Sequence, residues 1–258
     1  MIRLGPAGVD GDAFQGLRRI HDMGLNAVEI EFTHGVSMKN DKAMRVGELA
    51  RTLGIEVSVH CPYFINLLSD EKEKITASRK RILDSCERGH YLGAGRIVFH
   101  PGFYGKRTKK ESYDKIKEEI INLMQEIKKN KWSNIVLSPE TTGKPSQFGD
   151  LDELLMLSRE TGCQVTVDFA HLYARSQGTI KFSDVFDKIS HFKHIHSHFS
   201  GIEFGEKGER RHLVMDKSFF LPIAKEIIKR KLNITLISES PVTWKDSLKM
   251  KEVLENLK

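Results

Sequence analysis

The chain has 258 residues, enough to bury one large core, and its 39% apolar and 29% charged composition suits a single domain with well-solvated helices. The balance of 41 Lys+Arg against 35 Asp+Glu, +6 net, fits a polyanionic partner, and a Lys-rich solvated surface produces it as well. Cys61, Cys86 and Cys163 are scattered without a CxxC pair, residues 1–8 lack a secretory leader's basic start and apolar core, and no apolar run reaches the ~20 residues of a membrane span. Neither a disulfide framework nor a thiolate zinc knot is indicated, and a cytoplasmic protein with no membrane partner is expected.

In chain order, the first apolar run, Ile2–Gly5, leads to an amphipathic stretch, Asp12–Met23, that stops before Gly24. A second run, Ala27–Phe32, leads to Asp41–Leu53, which stops before Gly54; glycines in these places are good helix terminators. Strand candidates Glu56–His60, Arg96–His100, Asn134–Ser138, Gln164–Asp168, His194–His198 and Asn233–Glu239 follow. Between and after them lie the helix candidates Ser69–Leu92, Lys109–Asn130, Asp150–Thr161, Ser183–Ile189, Lys217–Arg230 and Ser247–Leu257. Short apolar runs alternating with charged amphipathic stretches are the pattern of a parallel sheet. Eight of them, the last near the carboxyl terminus, predict one closed (β/α)8 TIM barrel over residues 1–258, with its active end at the carboxyl ends of the strands. Two loops at that end are long, Gly102–Lys110 and Gly201–Val214, which is where substrate contacts usually lie.

The residues that end the strands are unusual. The third strand ends in His60, the fourth in His100, and the fifth leads into Glu140. The sixth gives Asp168 and His171, the seventh alternates as His194-Ile-His196-Ser-His198, and the eighth ends in Glu239. Singly, each has an ordinary reading: a hydrogen-bonded loop histidine, a surface glutamate before proline, an aspartate capping a helix. Together on one rim they are costly to bury uncompensated, and bound metal resolves the cost. Imidazole and carboxylate without thiolate point to Zn2+, Mn2+ or Fe2+. His194, His196 and His198 share one face by the two-residue period, and the ligand should be the one nearest the carboxyl end still inside the barrel. His21, His34, His90 and His191 fall on helices or surface turns.

These motifs resemble the endonuclease IV family of apurinic/apyrimidinic endonucleases, within the xylose-isomerase-like barrels. The matching elements are His60-Cys-Pro-Tyr63-Phe-Ile-Asn66-Leu, Phe99-His100-Pro-Gly, Pro139-Glu140-Thr-Thr-Gly143, Val167-Asp168-Phe-Ala-His171, Ile195-His196 and Glu239-Ser-Pro. The resemblance implies a zinc enzyme, with two or three ions, that cuts double-stranded DNA on the 5′ side of an abasic site, acting as a monomer without an obligatory protein partner. It implies that Glu140 bridges two metals, one held by His60 and His100, the other by Asp168, His196 and Glu239; His198 competes with His196 for that place. A third would sit on His171 and the loop after the seventh strand. There the family offers Asp-x-His, whereas this chain has Glu209-Arg-Arg-His212; His212 matches, and Glu209 stands one residue too far away. Two metals bridged by Glu140 would lower the pKa of a shared water, making hydroxide available for in-line attack on phosphorus, so no protein nucleophile is needed.

For DNA, Tyr63 falls where the resemblance places an aromatic that intrudes beside the lesion, with Phe64 next to it; packing beneath a loop is the alternative. Lys106, Arg107, Lys109, Lys110, Lys207, Arg210 and Arg211 could grip phosphates. The family's intruding Arg after the second strand has no counterpart in Phe32-Thr-His34-Gly-Val-Ser-Met-Lys39. Two other readings compete. A single-metal sugar isomerase or epimerase would need Glu140, Asp168, His196 and Glu239 but not His60, His100, His171 or His212, and a barrel that binds DNA or metal without turnover would need no complete centre.

Overall fold

Eight short strands in which β-branched and other apolar residues alternate or run together form the centre of the molecule. The computed structural model describes residues 1–257. The barrel strands are β1 (Ile2–Pro6), β2 (Ala27–Glu31), β3 (Glu56–His60), β4 (Arg96–Phe99), β6 (Leu137–Pro139), β8 (Thr166–Asp168), β9 (Ile195–Phe199) and β12 (Ile234–Ser238). They pair in parallel as two four-stranded sheets, β2-β3-β4-β6 and β1-β12-β9-β8. Parallel bridges Ala7–Glu29 and Glu140–Thr166 join the sheets at both seams. The predicted TIM barrel is therefore closed, and the expected strand order is the one seen.

The outer layer is α1 (Ala13–Asp22), α2 (Asn40–Thr52), α3 (Lys72–Leu92), α4 (Lys109–Lys129), α5 (Leu151–Thr161), α6 (Phe169–Arg175), α7 (Phe182–Ile189), α8 (Lys217–Lys229) and α9 (Trp244–Glu255). Their ends follow local chemistry. Asp12 accepts the backbone N–H groups of Phe14 and Gln15 at the start of α1. Thr108–Glu111 and Asp150–Glu153 form capping boxes on α4 and α5. Buried Leu, Ile and Phe from the helices pack onto the outward faces of the strands. Among the described residues no helix is long and apolar enough to cross a membrane.

Two small antiparallel additions decorate the carboxyl end. Strand β5 (Gly102–Phe103) pairs with β7 (Gln147–Phe148), and β10 (Gly201–Gly205) with β11 (Gly208–Leu213). The two long loops of the sequence thus carry strands of their own. α6, which begins directly after Asp168, is a further element not expected from the sequence; its seven residues are too few to show a helical period.

Candidate metal centre

Every barrel strand turns alternate side chains inward, so the last inward residue of each meets the others over the barrel mouth. Glu140, fully buried, stands at the middle. Its Oε2 is 3.2 Å from His60 Nε2 and 3.0 Å from His100 Nε2. Its Oε1 is 3.1 Å from His171 Nδ1 and 3.3 Å from His198 Nδ1. His60, His100 and Glu140 can bring one ligand atom each within 4.8 Å of one another, and so can Glu140, Asp168, His198 and Glu239, and Asp168, His171, His212 and Glu239.

The second of these groups differs from expectation at one residue: His198, not His196, joins Glu140, Asp168 and Glu239. His196 and His198 share a face, but His196 lies two residues deeper and its Nε2 is 3.0 Å from Glu29 Oε2 instead. Glu29, from β2, also lies buried beside these groups, with Glu31 near it, and neither belongs to a strand-end motif. Their signal in the sequence is Ala-Val-Glu-Ile-Glu, two acids at the two-residue period inside an otherwise apolar strand, both turned into the barrel.

Asp168 does two things at once. Its Oδ1 caps α6 by accepting the His171 N–H at 2.7 Å, while its buried Oδ2 has no hydrogen-bond partner among the described residues. The capping reading and the ligand reading are compatible, because they use different oxygens.

The hairpin resolves the spacing problem of Glu209-Arg-Arg-His212. The register of β10–β11 shifts between Glu203 and Phe204, which pair with Arg211 and Glu209, so that Arg210 is an extra, unpaired residue. Residues three apart on a regular strand point to opposite faces; one bulged residue restores them to the same face. Glu209 and His212 accordingly both reach His171, whose Nε2 is 3.5 Å from Glu209 Oε2 and 3.1 Å from His212 Nε2. The hairpin can approach this closely because residue 143 is glycine: a Cβ there would lie 2.6 Å from the Cβ of Glu209.

Most of these imidazoles are held from behind. His60 Nδ1 is 2.8 Å from the Cys61 carbonyl, His171 Nδ1 is 2.9 Å from the Thr141 carbonyl, and His212 Nδ1 is 3.2 Å from that of Glu239. When each Nδ1–H donates to its carbonyl, Nε2 carries the lone pair, and all three Nε2 atoms face the mouth. His171 and His212 then present two lone pairs to each other, an arrangement that a cation satisfies and a hydrogen bond between them does not. The donor set therefore fits divalent metal.

The electrostatics agree. Burial raises the Glu140 carboxyl, but the His100 and His198 imidazoles outweigh it and hold it well below the usual carboxylate range. Burial pushes Asp168 up to about 7 and Glu31 up to about 8. Burial lowers His60, yet the Glu31 and Glu140 carboxylates overcome it and raise the imidazole to about 10. His196 moves the other way, because burial outweighs its Glu29 contact. Carboxylates and imidazoles thus depend on each other for charge compensation, a role that metal cations take over when bound.

Residues 17–258 match the xylose isomerase-like TIM-barrel family. The chain belongs to that family. Among its relatives is an uncharacterized protein of Methanocaldococcus jannaschii, 37% identical over 96% of this chain and 95% of that one. A probable endonuclease 4 of Mycoplasmopsis pulmonis is 29% identical over 77% of this chain and 74% of its own. Endonuclease IV from Thermus thermophilus superposes with a TM-score of 0.75 at 19% identity, covering 98% of this chain and 99% of that one. A D-psicose 3-epimerase superposes at 0.66 and 14%, covering 96% and 91%. The barrel fold is thus shared over nearly the whole chain with both an endonuclease IV and an epimerase.

Around the mouth of this xylose isomerase-like barrel, Tyr63 and Phe64 are each 61% exposed, which is the opposite of packing beneath a loop. The Tyr63 ring lies 6.1 Å from the His60 ring. Lys106 is exposed. Arg107 is tied to Asp70 and the Leu68 carbonyl, and Arg210 and Arg211 share Glu203 at 3.5 and 2.7 Å. These three arginines are thus paired with acids within the chain, whereas Lys109 and Lys207 are exposed.

Proposed function

We propose that this protein is a metal-dependent apurinic/apyrimidinic endonuclease that hydrolyses the DNA phosphodiester 5′ to an abasic site. One observation carries the reading: histidines and acids beyond a single-metal set converge on Glu140 and His171. His60 and His100 approach one oxygen of Glu140, and Glu209 and His212 approach His171. In this proposal His60, His100 and Glu140 hold one ion, Glu140, Asp168, His198 and Glu239 a second, and His171, Glu209 and His212 a third. Zn2+ suits the mixed imidazole and carboxylate donors, with Mn2+ and Fe2+ as alternatives. Bound there, the ions would supply Lewis-acid charge to the phosphate and make water a stronger nucleophile near neutral pH.

The chain's own groups do the rest. Glu140, central and ionised, turns one oxygen to His60 and His100 and the other to His171 and His198, and would help to hold the first two ions. The carbonyls of Cys61, Thr141 and Glu239 hold imidazoles in the tautomer that presents Nε2 to the mouth. Tyr63 and Phe64 supply exposed aromatic surface for a base unstacked beside the lesion, a contact worth about 1–3 kcal/mol. Lys106 is available to a phosphate.

A second reading, a sugar epimerase using one ion on Glu140, Asp168, His198 and Glu239, is favoured by that four-residue group alone. A single assay separates the two. Zinc-loaded protein is given a duplex with one abasic analogue, with and without chelator. Chelator-sensitive incision 5′ to the lesion is expected. Intact duplex together with interconversion of a free ketose would replace the first reading with the second.

A further inference from the structure

Three of the candidate ligand imidazoles are oriented by backbone carbonyls through Nδ1 and present Nε2 to the mouth. His198 is reversed. Its Nδ1 faces the mouth, 3.3 Å from both Glu140 Oε1 and Glu239 Oε1, and its Nε2 faces away from it, 2.9 Å from Glu29 Oε1. A neutral imidazole that gives its Nδ1 lone pair to a metal must carry its proton on Nε2, and a buried N–H needs an acceptor. His198 Nε2 and Glu29 Oε1 are both buried, make no aligned hydrogen bond to any described residue, and lie 2.9 Å apart.

Glu29 is itself fixed. It crosses the barrel from β2 to β9, is fully buried, and uses its other oxygen for the Ser58 hydroxyl, which donates at 2.7 Å, and for His196 Nε2 at 3.0 Å. Ser58 and His196 approach Oε2 from β3 and β9, which leaves Oε1 to His198.

We propose that Glu29 is the positioning residue of the centre: its Oε1 accepts the Nε2–H of His198, which sets that ring's tautomer and angle and so makes Nδ1 a metal ligand. This rests on the proposal that the mouth holds divalent metal, but not on the substrate being DNA. His196, which resembles a ligand in sequence, belongs to this support and acts through Glu29. The arrangement is a carboxylate–histidine–metal relay built beneath the site from β2, the strand that also carries Glu31 towards His60.

The test uses Zn2+ and the full-length protein. Zn2+ affinity is measured by competition with a fluorescent chelator for the wild type, Glu29→Gln and Ser58→Ala, each checked for folding by circular dichroism. In parallel, long-range 15N–1H spectra of histidine-labelled, zinc-loaded protein report which nitrogen of His198 carries the proton. Glu29→Gln is expected to weaken one ion about 10–100-fold, the usual effect of removing such a partner, while leaving the others bound. Ser58→Ala, which loosens Glu29 without removing it, is expected to weaken the same ion about five-fold, the worth of one hydrogen bond. The wild-type spectrum is expected to place the proton on Nε2.

Unchanged affinity in Glu29→Gln overturns the proposal. A wild-type His198 proton on Nδ1 overturns it whether or not the variants fold. A wild type that binds no Zn2+ overturns both this proposal and the functional reading. Zn2+ binding that depends on Glu29, in a protein that does not incise the abasic duplex, sinks the endonuclease reading and leaves the relay standing.

Discussion

At the scale of single residues, the two strand-nine histidines make the sharpest contrast. His198 reaches Glu140 and Glu239, whereas His196 reaches only Glu29. His198→Ala should therefore lose one zinc ion per chain by metal analysis, and His196→Ala should keep the full count with weakened affinity. The reverse outcome would return the ligand role to His196. Glu140→Gln keeps the shape of the central side chain but halves what it can offer to metal. Incision should fall by more than about 100-fold, beyond what an outer-sphere partner costs, and a fully active variant would remove the two-ion arrangement. The sequence showed that one histidine of His194-Ile-His196-Ser-His198 should point inward near the strand end, and left two candidates. Periodicity assigns a face, not a depth along the barrel, and depth is what separates them. Glu29 and Glu31 went unread for a related reason: an acid inside a strand is informative only once the strand's inward face is known.

At the scale of elements, the hairpin β10–β11 shows how a departure from a motif can be absorbed by backbone geometry. The extra residue in Glu209-Arg-Arg-His212 is taken up by the bulge at Arg210, and both flanking side chains still face His171. Deleting Arg210 would turn the segment into Glu-Arg-His with two-residue spacing on a regular strand, which places the same two side chains on one face without a bulge. The deletion variant should thus retain its zinc count, while Glu209→Ala should lose an ion or bind it far more weakly. Loss of an ion on deletion would mean that the bulge, not the facing, determines the site. The barrel strands and their capped helices were legible because apolar runs and stop signals are local. The hairpin and α6 were not, because their residues are polar or few and their conformation is set by docking onto the barrel rather than by their own pattern.

At the scale of the whole molecule, the barrel gathers side chains from seven strands and one hairpin into a mouth that no segment could assemble alone, and it holds them with little solvent. That has a thermodynamic consequence once metal is stripped away. In the metal-free protein His60 is raised from 6.5 to about 10: burial opposes its charge, but Glu31 and Glu140 prevail. Asp168 is raised from 3.8 to about 7, chiefly by burial. Both groups bind a proton more tightly folded than unfolded, so their stabilisation is full below the unfolded value and is lost as pH rises through the folded one. For Asp168 that loss begins near 4, and for His60 it begins near 6.5 and continues towards 10. Glu140 has the opposite sign: burial raises it, the imidazoles of His100 and His198 lower it further, and its contribution is present above 4.5 and lost as pH falls below. The chelated protein should therefore be most stable in mildly acid solution and melt at progressively lower temperature between about pH 5 and 9. Added Zn2+ should reverse the trend, since it would take the place of those protons and bind more tightly as they leave. Thermal melts across that range, with and without chelator, should give curves that diverge as pH rises. Parallel curves would show that the buried imidazoles and carboxylates compensate one another without metal.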